Sequence, residues 1–263
     1  MDQKLNKLTE DKIPQEITPF IRSINALMER VQNVLEKQQR FIADAAHELR
    51  TPITALSLQA ENLKKAKDEN DRDAREEKLK LGFVRLGKLV SQLLDLARLQ
   101  SGKEGEFQTV SFNQVVQEVI ASNYPLAEAD NIDLGMLRQE NGIYVKDQNG
   151  RLSQLVQNAI GNAIHYTPKN GKIDVSLFIQ GQKAVLLVED SGNGIPEAEL
   201  EQVMEPFYRV LEGNQTGNGL GLAISQEIAE RLDGKIQLSN REEGGLCFRY
   251  EQATVKTDAS LVS

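Results

Sequence analysis

Glycine is nearly absent from the first hundred residues of this chain and crowded into the remainder. Of 19 glycines only Gly82 and Gly87 precede Gly102. Glycine is at home in turns and weakens a helix interior, so the first stretch reads as helical and the second as a sheet-containing segment with many turns. At 263 residues the chain has room for two modest domains of these two textures. The boundary is expected at Ser101-Gly-Lys-Glu-Gly105.

Apolar spacing supports the division. From Ile17 apolar residues recur every three or four positions, through Phe20, Ile21, Ile24, Leu27, Val31, Val34, Phe41, Ala45, Leu49 and Ile53. This is one long helix with a narrow apolar stripe, and such a stripe calls for a coiled-coil-like partner and hence a dimer. The charged run Lys67–Glu77 interrupts it and reads as a hairpin tip. A second stripe follows at Leu79, Phe83, Leu86, Leu89, Val90, Leu93 and Leu96. Two such helices cannot bury their faces alone, whereas two hairpins together make a four-helix bundle. Beyond Glu106 the pattern shortens. Strands are expected at Ile132–Leu137, Lys172–Ile179, Lys183–Glu189, Lys235–Ser239 and Leu246–Glu251. Helices are expected at Phe112–Ser122, Arg151–His165 and Leu220–Leu232, giving an α+β arrangement with helices on one face of a mixed sheet. The tail from Thr254 to Ser263 is polar and expected to fray.

Composition excludes several classes of function. A net charge of -8 argues against a nucleic-acid binder, which needs an excess of Lys and Arg on its contact face. The longest purely apolar run, Ala184-Val-Leu-Leu-Val188, is strand-sized, and the N-terminus carries no signal-peptide pattern, so the chain as given is expected to be soluble. One cysteine and two histidines are too few for a zinc site or an internal disulfide. Histidine chemistry therefore falls to His47 or His165.

His47 lies in Phe41-Ile-Ala-Asp-Ala-Ala-His-Glu-Leu-Arg-Thr-Pro-Ile-Thr-Ala-Leu56. A neutral imidazole is nucleophilic at one ring nitrogen while the other keeps its proton, and an adjacent carboxylate, here Glu48, can hold that N–H and stabilise the developing charge. Thr51, at i+4, shares the face of His47 and can hydrogen-bond a water or phosphate oxygen there. Pro52 removes the partner of the Glu48 carbonyl, at a cost of about 3 kcal/mol in a helix interior, which suggests a bent and loosened turn at His47. Alone, His47 could equally be an ordinary polar residue on a bundle face and Pro52 a harmless kink.

The whole string, however, resembles the phospho-acceptor box of sensor histidine kinases. The segment Leu89-Val-Ser-Gln-Leu-Leu-Asp-Leu-Ala-Arg-Leu-Gln-Ser-Gly102 is similar to the second helix of that family's dimerisation and histidine-phosphotransfer domain. The resemblance implies that His47 accepts the phosphoryl group and that Glu48 is its general base. It also implies that Thr51, with Glu48, serves removal of phosphate from the partner protein. Residues 40–103 would form this domain, and 1–39 a linker helix similar to the end of a HAMP segment. That similarity implies that the membrane is met only through an upstream segment absent from the chain, which would be the cytoplasmic portion of a bacterial inner-membrane sensor.

A second site gathers in the C-terminal part. In Arg151-Leu-Ser-Gln-Leu-Val-Gln-Asn-Ala-Ile-Gly-Asn-Ala-Ile-His-Tyr-Thr-Pro168 the residues Asn158, Asn162, His165 and Tyr166 share one helix face. Asparagine is a mediocre helix former, so two a turn apart suggest a wet or ligand-facing surface, and an amide oxygen suits Mg²⁺. After an apolar strand comes Asp190-Ser-Gly-Asn-Gly-Ile-Pro196, where a carboxylate can accept an adenine amine while Gly192 and Gly194 let backbone approach a ring. The run Thr216-Gly-Asn-Gly-Leu-Gly-Leu-Ala-Ile224 leads into a helix whose free N–H groups can bind phosphates. Neither cluster is a P-loop or a Rossmann fingerprint. Singly, each is also what a solvated helix face or a turn would show.

In their order these segments, with Glu205-Pro-Phe-Tyr-Arg209, resemble the four boxes of the Bergerat-type ATP-binding domain of histidine kinases, which here would span residues 106–253. Asn162 would then hold Mg²⁺, with Asn158, His165 and Tyr166 on the phosphate and ribose side. Asp190, Gly192, Gly194 and Ile195 would meet adenine. Phe207 and Arg209 would contribute from the third box, while Gly217, Gly219, Leu220, Gly221 and Leu222 close the pocket under a mobile lid, Pro196–Gly217. His165 stands where Lys is frequent and Asn218 where Ser or Thr is.

The fold expected is thus an α-helical hairpin dimerising into a four-helix bundle, followed by an α+β sandwich. The resemblance implies a homodimeric protein histidine kinase that uses ATP and Mg²⁺, transfers phosphate to a response-regulator receiver domain, has phosphatase activity and binds no nucleic acid. Mismatch-repair, gyrase-like and chaperone ATPases share the second site but lack the His47 segment. A nucleotide-binding scaffold without transfer is the other rival, against which the intact Asn162, Asp190 and glycine segments speak.

Overall fold

The computed structural model describes residues 17–100, 105–210 and 217–255. Expectations for residues 1–16 of the linker, 101–104 of the boundary, 211–216 of the lid and 256–263 of the tail lie outside the described residues. The chain divides into two compact units, Met1–Gly87 and Lys88–Ser263.

The first unit is a helical hairpin built from α1 (Thr18–Leu63) and the first part of α2 (Glu69–Gln100). The turn is shorter than the expected tip, because the charged run is mostly helix. Asp68 Oδ1 accepts from the Asp71 N–H at 2.8 Å, and Asp71 Oδ2 accepts from the Lys67 N–H at 3.0 Å. This reciprocal cap starts α2 at Glu69 and reserves only residues 64–68 for the reversal. Arg75 then ties the helices together, donating to Asp71 Oδ1 at 2.7 Å and to the Asn62 carbonyl at 3.0 Å. Further along, a Cβ on Gly82 would stand 2.6 Å from Leu56 Cδ2, so glycine allows α2 to come close to α1 there. Leu56 is the one buried residue of α1, while Phe20, Leu27, Val34, Ile42, Ile53, Leu81, Phe83 and Val84 are exposed. A hairpin alone cannot cover such a stripe. Among the described residues no helix is long and apolar enough to cross a membrane.

The second unit begins with the last turns of α2. Leu89, Leu96 and Leu99 are buried, Gln92 accepts from Asn218 Nδ2 at 2.7 Å, and Asp95 accepts from Gln154 Nε2 at 3.2 Å. These contacts put the division by compactness inside α2, while the helix itself ends at Gln100.

After β1 (Phe107–Ser111), α3 (Phe112–Ala129), β2 (Asp133–Gln139), β3 (Tyr144–Gln148) and α4 (Arg151–Tyr166) come β4 (Lys172–Gln180) and β5 (Lys183–Asp190). The unit closes with α5 (Gly221–Arg231), β6 (Lys235–Asn240) and β7 (Leu246–Ala253). The main sheet has the order β2-β4-β5-β7-β6, parallel only between β2 and β4, whose connection carries α4 as a crossover. Strands β1 and β3 form a separate antiparallel pair. Helices α3, α4 and α5 pack side by side against the main sheet, the expected two-layer arrangement. Their buried residues interleave with Ile173, Val175, Leu177, Val185, Leu186 and Val188. Phe112 meets the Tyr250 ring edge-on at 6.2 Å between centroids. Between α3 and α4, the buried Asn123 and the exposed Gln157 exchange amide hydrogen bonds of 2.8 and 2.9 Å.

Candidate functional site

His47 projects from α1 with its side chain 74% exposed, which an imidazole needs if it is to meet a reactant. Its Nδ1 lies 3.9 Å from Glu48 Oε1, an ion-pair separation beyond hydrogen-bond reach, so the expected N–H hold requires a rotamer change of two exposed groups. The Thr51 hydroxyl turns back to the His47 carbonyl at 3.4 Å. Helix α1 runs unbroken through Pro52, so the loosened turn expected there does not interrupt it.

The second site forms where β5 ends beside α4 and α5. Asp190, the last residue of β5, is buried, and its Oδ1 accepts the N–H groups of Gly192 at 2.8 Å and of Leu246 at 3.1 Å. Among the described residues its Oδ2 accepts no hydrogen bond, which leaves one oxygen for an external donor such as an amine. Burial pushes the carboxyl above its ordinary range, opposed by the two N–H groups and by Arg241. Gly192 is required here, because a Cβ would stand 2.6 Å from the Tyr166 carbonyl oxygen.

On α4 the expected face divides in two. Asn158 Nδ2 donates to the Gly221 carbonyl at 3.1 Å and lies 3.4 Å from Ser225 Oγ, holding the start of α5. The amide of Asn162 stands about one van der Waals contact from Gly221, 3.6 Å from where a Cβ would be, and makes no hydrogen bond among the described residues. Its hard carbonyl oxygen is therefore free to ligate a divalent cation that also holds phosphate oxygens. His165 and Tyr166 end the helix exposed, their rings edge-to-face at 4.9 Å. Burial, then the charges of Arg209 and Lys88, lower the His165 pKa.

Helix α5 opens at Gly221, and Leu220 before it supplies no side-chain cap, so among the described residues its first N–H groups have no side-chain partner from the N-cap and can face an anion. Leu220 is fully buried and Leu222 half-buried, anchoring this end to the core. The carbonyl of Gly219, at φ +64°, accepts from the Phe207 N–H at 2.9 Å, and Phe207 itself has φ +65°. A left-handed phenylalanine is rare and costs of order 1–3 kcal/mol, the kind of strain that persists where surrounding structure enforces it. A Cβ on Gly219 would sit 2.7 Å from the backbone of Phe207 and Tyr208. Gly219→Ala is accordingly expected to lower the stability of this unit by about 1 kcal/mol or more, read as a lower urea midpoint at unchanged slope. A Cβ on Gly217, in contrast, would meet nothing within 4 Å among the described residues.

The segment expected as a lid is partly folded. Glu197–Glu199 and Gln202–Met204 form 3₁₀ turns, Val203 is buried, and Tyr208 donates to Glu199 Oε2 at 3.1 Å. Gly194, at φ +70°, and Ile195 lie against Asn240, and Arg209 stays exposed. Asn240 and Arg241 were not among the residues singled out from sequence. They stand some fifty positions from Asp190 in the chain, and no local motif marks them.

Two family models match the chain. Residues 147–255 match the histidine kinase-, DNA gyrase B-, and HSP90-like ATPase model, and residues 37–102 match the His Kinase A (phospho-acceptor) domain. The sensor protein QseC of Escherichia coli O157:H7 is 34% identical over 237 residues, covering 89% of this chain and 51% of that protein. The sensor protein kinase PmrB of Pseudomonas aeruginosa is 32% identical over 242 residues, covering 91% and 50%. The chain thus spans about half the length of the curated relatives it matches. Among solved structures, histidine kinase ThkA in complex with the response regulator TrrA gives a TM-score of 0.69 at 27% identity, covering 93% of this chain and 68% of that one. The Acinetobacter baumannii histidine kinase AdeS gives 0.66 at 25% identity, covering 80% and 98%.

Proposed function

Because this chain belongs to the sensor histidine kinases, with a phospho-acceptor domain followed by an ATPase domain of the histidine kinase type, we propose that it phosphorylates its own His47 from ATP and passes the phosphoryl group to an aspartate of a response-regulator receiver domain. The observation that carries the reading is that one chain presents an exposed histidine in the matched acceptor segment together with a buried carboxylate and an uncapped, glycine-lined helix start.

Asp190 would select adenine by accepting its exocyclic amine at Oδ2, while Gly192 keeps the approach clear. The N–H groups at the start of α5 and the cationic Arg209 would hold the phosphate chain. Bound through Asn162 and the phosphates, Mg²⁺ would neutralise charge on the transferring group. The His47 imidazole then forms the nitrogen–phosphorus bond as the bond from the terminal phosphorus to the bridging oxygen breaks, and ADP leaves with that oxygen. Glu48, turned to the Nδ1–H, would hold the imidazole tautomer with the other nitrogen nucleophilic and then take the proton. Positioning supplies most of the rate in such a transfer. In the reverse sense, Glu48 and Thr51 would orient a water against the phosphorylated regulator, giving phosphatase activity.

The exposed apolar stripe of the hairpin supports pairing with a second copy into a four-helix bundle. The relatives' greater length supports a natural chain in which this portion lies on the cytoplasmic side of a membrane sensor. Incubation of the purified chain with γ-labelled ATP and Mg²⁺ is expected to leave acid-labile, base-stable phosphate on the protein, which moves to an added receiver domain. Absence of acid-labile label on the folded protein would overturn the reading.

A further inference from the structure

The loop that follows Asp190 is held from outside its own stretch of chain. The turn between β6 and β7 reaches it at several points. Asn240 Oδ1 accepts from the Ile195 N–H at 2.9 Å, and Asn240 Nδ2 donates to the Ile195 carbonyl at 2.6 Å. One side-chain amide thus pairs both polar groups of a single residue, as a neighbouring strand would. Arg241 Nη1 donates to the Asp190 carbonyl at 2.8 Å, and its Nε lies 3.6 Å from Glu189 Oε1. The Leu246 N–H adds the bond to Asp190 Oδ1 already described.

The approach is close enough to demand glycine on both sides. A Cβ on Gly194 would stand 2.6 Å from Asn240 Oδ1, and one on Gly245, at φ +96°, would stand 1.9 Å from the Asp190 carbonyl oxygen. The turn is closed on itself by the Arg241 N–H to the Gly245 carbonyl at 3.0 Å and the Gly244 N–H to the Arg241 carbonyl at 3.1 Å. It is therefore a preformed part and not a strand end that happens to lie nearby.

We propose that Asn240 and Arg241 are positioning residues for nucleotide recognition: they clamp residues 190–195 so that Asp190 Oδ2 and the Gly192–Gly194 backbone stay aligned for an adenine ring. Neither touches the base in this account. Each acts through the backbone of the residues that do. The inference rests on the reading of Asp190 as the adenine acceptor, but the clamp itself is a property of the protein without ligand. A recognition loop that lacks its clamp samples other backbone arrangements, and binding then includes the cost of ordering it.

Two measurements separate the clamp from the nucleotide reading. In the nucleotide-free chain, amide hydrogen exchange at Ile195 and Gly192 is expected to accelerate about tenfold in Asn240→Ala, while amides of α3 remain as in the parent. In the same variant the Kd for ATP is expected to rise about tenfold, the loss of two ordinary hydrogen bonds at most partly replaced by water. KM for ATP should rise while kcat of labelling changes less than twofold, and the preference for ATP over GTP should narrow. Asn240→Asp keeps the acceptor for the Ile195 N–H and is expected to restore that amide's protection in part. It also serves should the alanine variant fail to fold. Unchanged Ile195 exchange in a folded variant would overturn the clamp. Faster exchange with unchanged ATP affinity and selectivity would overturn its role in recognition. Failure of the parent chain itself to bind ATP would instead strike the underlying reading, leaving the exchange result to stand by itself.

Discussion

His47→Gln is expected to abolish phosphoryl labelling while leaving nucleotide binding intact. Glutamine is close to histidine in size and is a better helix former, so α1 loses nothing by the exchange. The side chain is 74% exposed and makes no contact that holds the hairpin, so helicity and thermal midpoint should match the parent. What disappears is the ring nitrogen lone pair, for which a side-chain amide is no substitute as a nucleophile. Acid-labile label should therefore fall on the order of 10³-fold or more, to background, with the Kd for ATP within a factor of two of the parent. Label persisting at another residue would remove His47 from the acceptor role.

Asp190→Asn should lose labelling by a different route, through nucleotide binding. Asparagine can keep the Oδ1 contacts to the Gly192 and Leu246 N–H groups, so the loop retains its support. The second oxygen becomes an N–H₂ that faces the adenine amine, setting donor against donor in a buried place. A mispaired buried group costs about 1–3 kcal/mol, so ATP affinity is expected to fall about 100-fold, and labelling with it. The same N–H₂ suits a carbonyl oxygen, and the discrimination against guanine nucleotides should relax. Stability should hold or rise slightly, because burial already pushes the Asp190 carboxyl toward its neutral form and the amide carries no charge to bury. A variant that binds ATP as tightly as the parent would exclude Asp190 as the base-selecting group.

How far the fold could be read from the chain follows element by element. The helices with long apolar periods and the strands of the main sheet stand where spacing put them, because burying one face imposes a period that composition displays. Helix α3 extends to Ala129, past Ser122, since an internal proline at 125 removes one hydrogen bond without breaking a helix packed on its neighbours. Strands β1 and β3 went unread, as five residues such as Tyr144-Val-Lys-Asp-Gln148 carry too little alternation to register. The hairpin tip was overextended because charge density says nothing about capping. It is the pairing of Asp68 with Asp71 that decides where helix resumes. At the candidate site, Asp190, Gly192 and the α4 face were legible as local patterns. Asn240 and Arg241 were not, because their partners lie across a strand connection that no spacing rule links.

The amide exchange between Asn123 and Gln157 has an evolutionary consequence. Asn123 is buried while Gln157 lies on the exposed side of α4, so a change of Gln157 alone takes the donor from the buried Asn123 Oδ1, whereas a change of Asn123 returns Gln157 to water. Across relatives of this chain, asparagine at 123 should therefore be accompanied by a hydrogen-bond donor at 157, while relatives without it should show no such preference at 157.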